Sequence, residues 1–356
     1  MSNDYKALWL TSPRAALQVG QATPREPAAD EVIVRARAIA MNPIDAMGAV
    51  ARRVVLPWLR YPAVLGYDVA GEVTAVGSGV TALRVGDRVV GFAAGLERSR
   101  NSAAEGAFQS HVTLLANLCS PLPDDVEFEQ AAVLPLALTT AAAGLYEADQ
   151  LALPLPTATA PDRGETVLIF GAATSVGMNA VQLARNSGYR VVATASRQNF
   201  ELITTLGATA MVDYNDGDMV QQLIDHLAGH TLVGTMAIAS GSLTDAIAVS
   251  ASPAVTGTRR VASAHPTPVT AIRARFARRR GVQVTAIWGG SPLNTAVGPA
   301  VWQSFLPAAL ADKRYVTAPQ PIIVGHGLEA IPEALVRMRA GVRAAKLVVT
   351  LGDLSE

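Results

Sequence analysis

The stretch VLIFGAATSVGMNAVQLA, residues 167–184, most constrains what this chain can fold into. Four apolar residues that read as a buried strand run into Gly171, which turns the chain tightly, and a helical pattern starts at once. Gly177 lets the new helix pack closely on the strand. A helix opened in this way leaves its first amides without internal partners, where they favour an anion. The neighbouring sequence repeats the rhythm: TVLIF, RVVATA, AMVDY and TMAIAS alternate with MNAVQLARNSG, QNFELITTLGA and DMVQQLIDHLAG. Short apolar runs separated by helices predict a doubly wound parallel sheet in an α/β domain.

The turn departs from the usual glycine-rich pattern at its centre, where Thr174 stands, so a packed strand-turn-helix with no ligand is the alternative for this segment alone. The next strand, RVVATA, bears on that choice. It ends at the place where an acidic residue would bind the ribose hydroxyls of NAD, about twenty residues on. No acid is there. Ser196, Arg197, Gln198 and Asn199 follow instead, a hydroxyl, a guanidinium and amides that suit a 2′-phosphate and predict NADP(H). The alternative is a helix cap at Ser196 with Arg197 solvated.

Residues 5–130 read differently, as short strands separated by Gly and Pro: EVIVRARAIA, DVAGEVTAVG, DRVVGFAAG and FQSHVTLL. EQAAVLPLALTTAAAGLYEADQ suits a buried helix, LALPLPTATAPDRG a loop, and AKLVVTL a final strand for the first sheet. With 356 residues, two domains are expected. Lys plus Arg and Asp plus Glu balance at 29 each, which removes the electrostatic footprint of a nucleic-acid or anionic-membrane binder. One cysteine, Cys119, excludes an intramolecular disulfide framework and points to a reducing cytoplasm. No signal-peptide pattern is seen at the amino terminus.

Taken together, NPID at 42–45, GYDVAGEV at 66–73, VGDRVVGF at 85–92, GAF at 106–108, LPLALTTAAAGL at 134–145, GAATSVG and the terminal KLVV resemble the medium-chain dehydrogenase/reductase superfamily along almost the whole chain. The resemblance implies a GroES-like β-rich substrate domain, residues 1–130 and 290–356, and a Rossmann domain, residues 131–289. Zinc-dependent members carry a Cys and a His-Glu pair where this chain has Asn42-Pro43 and Tyr67-Asp68, so no metal is expected. His111, His226, His230, His265 and His326 are scattered and read as ordinary surface or core residues. The TSVG turn, the S-x-x-N element at 196–199, VDY at 212–214 and the LPLP loop are similar to the trans-acting enoyl reductases of fungal polyketide synthases.

Carried over by position, the resemblance places Asn42, Pro43, Ile44 and Asp45 beside the nicotinamide and Ala173, Thr174, Ser175 and Val176 around the pyrophosphate. Ser196, Arg197, Gln198 and Asn199 would surround the 2′-phosphate, Tyr214 the adenosine, and Val348 and Val349 would close over the cofactor. For Tyr214 and the two valines, core packing is an equal alternative. Leu134, Pro135, Leu136, Ala137, Leu138 and Thr139 would line the substrate channel with Thr285, Ala286, Ile287, Trp288 and Gly289.

The implied reaction is NADPH-dependent hydride transfer to the β-carbon of an α,β-unsaturated thioester held on an acyl carrier protein or polyketide synthase. A monomer is expected. The family pattern has a lysine after NPxD where this chain has Ala46 and Met47. Solvent, Tyr67 or the Thr139 hydroxyl are then the candidate donors. The departure keeps two other readings open, a free-standing quinone or enone reductase and an NADP-binding protein without redox activity. RARFARRR at 273–280 puts five arginines in eight residues, either to meet an acidic carrier helix or as a solvated helix face.

Overall fold

The computed structural model describes residues 5–264 and 268–352, so His265 lies outside the described residues. The chain divides into two units, residues 1–136, 302–311 and 317–356 in the first and residues 137–301 and 312–316 in the second.

The first unit is built on a mainly antiparallel sheet in the order Gln320–His326, Ala345–Thr350, Glu31–Ala40, Asp68–Val76, Arg88–Phe92 and Cys119–Pro121, with His111–Leu115 also pairing with Glu31–Ala40. The closing segment AKLVVTL does complete this sheet. Val348 lies opposite Ala40, and Ala40 lies opposite Asp68 on its other side, so three distant segments meet at one end of neighbouring strands. A smaller sheet holds Lys6–Leu10 between Gln18–Gln21 and Ala63–Val64.

The second unit is the parallel sheet read from the alternating pattern. Its order is Ala210–Asp213, Arg190–Ala195, Glu165–Phe170, Thr231–Ala237, Arg260–Ser263 and Gln283–Ala286, all parallel. The chain winds outward from Glu165–Phe170 in one direction, then returns to its other side with Thr231–Ala237. This reversal is the topological switch point, where the carboxyl ends of open α/β sheets form a crevice. Leu168, Phe170, Val192, Leu223, Leu232 and Val261 form the core between sheet and helices.

The helix Ser175–Asn186 is buried at most positions, and its inward polar side chains are paired. The Asn179 amide oxygen accepts from the Tyr315 hydroxyl. Gln182 donates to the Val316 carbonyl at 3.1 Å and accepts from its N–H at 2.8 Å. These bonds tie residues 312–316 into the second unit. The helix Pro135–Tyr146 carries the chain across the division. In it Gly144 leaves room for Met236 and Ile287, whose atoms lie 2.6 and 2.7 Å from where a Cβ would stand. The helical run Phe128–Tyr146 has the length and apolarity of a membrane-crossing helix, yet 72% of it is buried within the protein, as in a core helix.

Candidate functional site

In the second unit, the strand Glu165–Phe170 delivers the chain to Gly171, whose φ is +83°, a conformation that a side chain resists. A Cβ there would lie 2.6 Å from that of Ala239. A Cβ on Gly177 would lie 2.2 Å from the Gly171 carbonyl oxygen, so the helix can sit this close to the strand only without a side chain. Thr174, the residue that departs from the glycine pattern, caps the helix. Its hydroxyl donates to the Gly171 carbonyl at 2.8 Å and accepts from the Gly177 N–H at 3.0 Å. The N–H groups of Ala173, Ser175 and Val176 make no hydrogen bond within the described residues, and these residues keep partial exposure. Open amides at the start of a twelve-residue helix, at the switch point, fit the pyrophosphate of a dinucleotide.

The next strand ends at Ala195, with Arg197–Asn199 forming a short 3₁₀ turn beyond it. Ser196 makes no capping bond; its hydroxyl accepts from the Asn199 amide at 2.9 Å. The Arg197 side chain is 72% exposed but not free. It pairs with Asp216 at 2.9 Å and lies 3.4 Å from Asp213, whose carboxylate also accepts the Arg197 N–H. The Asn215 N–H, donating to Asp213, holds that carboxyl below its ordinary pKa. Gln198 is exposed, and Tyr214 is 54% exposed beside this pair of carboxylates rather than packed in a core.

In the first unit, the end of the sheet gathers charged side chains that are almost wholly buried. Asp68 accepts from the Asn42 amide at 2.9 Å, from the Leu136 N–H at 2.6 Å and from the Lys346 ammonium, which also donates to the Val133 carbonyl at 3.0 Å. Asp45 accepts the Asn42 N–H on one oxygen at 2.9 Å, while its other oxygen is buried and unpartnered. Loss of water, then the nearby Asp68 carboxylate, push Asp45 up to about 7. Tyr67 is 1% exposed and stacks obliquely on Phe92, with its hydroxyl buried beside the Glu97 and Asp45 carboxylates. Burial, aided by the Glu97 and Asp45 carboxylates, keeps its phenol protonated well above the ordinary range.

The structure thus brings Asn42, Asp45 and Tyr67 together, with Ile44 half-buried and Pro43 exposed on the same turn. Val348 and Val349 are fully buried within the strand Ala345–Thr350. Of the proposed channel residues Leu134, Pro135, Leu136, Ala137, Leu138 and Thr139, only Leu136 keeps partial exposure, and Thr139 keeps none. Thr285 donates to Gln150 at 2.8 Å, Ala286 is exposed at the sheet edge, Ile287 is buried, and Trp288 and Gly289 are half-buried. Sequence reasoning missed the Asp68–Lys346 pair, although a charged residue within each of two apolar strands, Asp68 in GYDVAGEV beside the more exposed Glu72 and Lys346 in AKLVVTL, was the available signal. It also missed the carboxylates that hold Arg197. Among the described residues no three His, Cys, Asp or Glu side chains cluster as a metal site, and Cys119 is buried with its thiol pushed up by burial.

The family description "Alcohol dehydrogenase GroES-like domain" matches residues 28–124. The chain belongs to the medium-chain dehydrogenase/reductase superfamily, a class of oxidoreductases that pairs a GroES-like domain with a Rossmann domain. It is 40% identical to the Monascus ruber protein named dehydrogenase pigH, over 97% of this chain and 99% of that one. It is 33% identical to the Aspergillus japonicus trans-enoyl reductase himH, over 97% of each. Among solved structures, the CurK enoyl reductase shares the fold at a TM-score of 0.72 and 20% identity, over 98% of this chain and 100% of that one.

Proposed function

We propose that this protein is a zinc-independent, NADPH-dependent enoyl reductase that serves a polyketide synthase in trans during secondary-metabolite synthesis. The observation that carries the reading is the open first turn of the helix Ser175–Asn186, whose unbonded amides at the switch point suit a pyrophosphate. The full-length similarity to a protein named as a trans-enoyl reductase supports the choice of substrate class. When bound, the nicotinamide supplies the hydride for the β-carbon of an α,β-unsaturated thioester, and the α-carbon then takes a proton.

The choice of NADPH rests on the strand Arg190–Ala195, which ends without a carboxylate and leads to the exposed Arg197. Asp213 and Asp216 hold that guanidinium in place, so a 2′-phosphate would share it with them. Zinc independence rests on the donors at Asn42, Tyr67 and Asp68. They offer no thiolate or imidazole, and Asp68 already faces the Lys346 ammonium. The burial of Tyr67 and Thr139 favours solvent as the proton source. Met47, at the position of the family's lysine, supports a second reading, an NADP-binding protein without reductase activity.

The test is oxidation of NADPH, followed by absorbance, with enoyl thioesters on pantetheine and on a carrier domain, beside a simple quinone and NADH. Turnover of the thioesters with NADPH is expected. Quinone turnover alone would move the assignment to a free-standing quinone reductase, and NADPH binding without any turnover would establish the second reading.

A further inference from the structure

The helix Pro268–Arg278 of the second unit has two faces of different chemistry. Thr270, Ala274 and Ala277 point inward at helical spacing, Ala277 within the core beside Val282. The outer face carries Ile272, 59% exposed, and Phe276, 55% exposed, one turn apart. Around them stand Arg273, Arg275, Arg278, Arg279 and Arg280, all exposed. The Arg279 guanidinium lies 5.2 Å from the centre of the Phe276 ring. None of the five is ion-paired among the described residues. A sixth cation, Arg259, joins the end of the helix by donating to the Arg280 carbonyl at 3.3 Å.

The negative end of the helix dipole favours cations in the last turn only. It accounts neither for Arg273 nor for two large apolar side chains held in water between mutually repelling charges. The chain is formally neutral, so without these five arginines the rest of it stands at −5. An acidic partner is therefore steered to this face and away from others. An anionic membrane fits less well, because the helix has spent its inner face on the sheet and offers only two apolar side chains for insertion.

The helix starts at the carboxyl edge of the sheet and runs back toward the amino edge, where Arg259 meets Arg280, so Arg273 and Arg275 are the arginines nearest the crevice. It follows the strand Arg260–Ser263, whose carboxyl end lies two strands from that of Glu165–Phe170, roughly 10 Å away at ordinary strand spacing. Arg275 lies about 10 Å further along the helix at 1.5 Å per residue. A flexible phosphopantetheine arm spans such a separation.

We propose that this cationic, apolar-centred face docks an acidic, helical carrier domain bearing a thioester on a phosphopantetheine arm; the identity of the cargo rests on the enoyl reductase reading, the docking does not. The test is fluorescence anisotropy of a labelled, phosphopantetheinylated carrier domain from a reducing polyketide synthase, titrated with the full-length protein. The variant R273Q/R275Q/R279Q should weaken binding about tenfold or more and F276A a few-fold. The control R337Q/R339Q should bind like the wild type. Reduction of an enoyl-pantetheine should be unchanged in all three. Equal carrier binding by wild type and the triple variant, absent binding by the wild type, or arginine-dependent binding to phosphatidylserine vesicles in place of the carrier would overturn the proposal. Arginine-dependent carrier binding with no thioester reduced would uphold the docking and sink the reductase reading instead.

Discussion

The two ends of sheet that carry candidate chemistry handle charge in opposite ways. In the first unit, Asp68 and Lys346 are 0% and 2% exposed, and Asp68 has three donors around it. In the second, the helix Ser175–Asn186 leaves N–H groups open to solvent, and the charged residue nearby, Arg197, is mostly exposed. A buried ion must find its partners within the protein or be neutralised, whereas an open helix end can wait for a ligand. The first arrangement fixes geometry; the second stores binding capacity.

The largest expected effect breaks the closed arrangement. Lys346→Met leaves Asp68 without its cation in a dry site and should cost about 3–5 kcal/mol, read as a lowered urea midpoint. A loss no larger than that of a surface substitution would show that water reaches this end of the sheet.

Asp45 gives the next effect, and it depends on pH. Its carboxyl titrates at 3.8 in the unfolded chain and about 7 in the folded one, so the folded state holds the extra proton between these values. Its contribution to stability therefore falls as pH rises from 3.8 to about 7, reaching a penalty on the order of 4 kcal/mol above that. Asp45→Asn should raise the melting temperature clearly at pH 8, much less at pH 5, and hardly at all below pH 4. A gain that is the same at every pH would place the cause in packing rather than ionisation.

Smaller effects probe the open end. Thr174→Ala removes the helix cap and should cost about 1 kcal/mol by thermal melting. It also frees the Gly177 N–H, so binding of NADPH should weaken less than stability does. Arg197→Ala should lower affinity for NADPH several-fold and leave NADH almost unchanged, by titration of nicotinamide fluorescence. Equal losses for both cofactors would mean that Arg197 serves Asp213 and Asp216 alone.

The second unit was the more legible in sequence. Its strands and helices alternate in a pattern that local apolar runs and Gly171 are enough to reveal, and the turn followed from the same few residues. The Asp68–Lys346 pair was not legible, because its members are 278 positions apart and nothing local links them. Arg197 shows the intermediate case. Its position at the end of a strand was readable, but Asp213 and Asp216 meet it only after the next strand has paired. Thr174 taught something else: a residue that breaks a glycine pattern can still serve the turn, here by bonding both Gly171 and Gly177. Thr139 and its neighbours in the helix Pro135–Tyr146 read as channel lining and are buried, and because small apolar side chains serve a core and a channel wall alike, the sequence does not separate the two.

The separation between Asp68 and Lys346 also bears on how the protein is made. At about 5–20 residues per second, a ribosome needs on the order of 15–55 s to travel from one to the other. Throughout that interval the nascent amino-terminal lobe carries acidic groups whose counterion has not yet been translated. A chain released early would keep an unneutralised carboxylate where the finished protein has an ion pair.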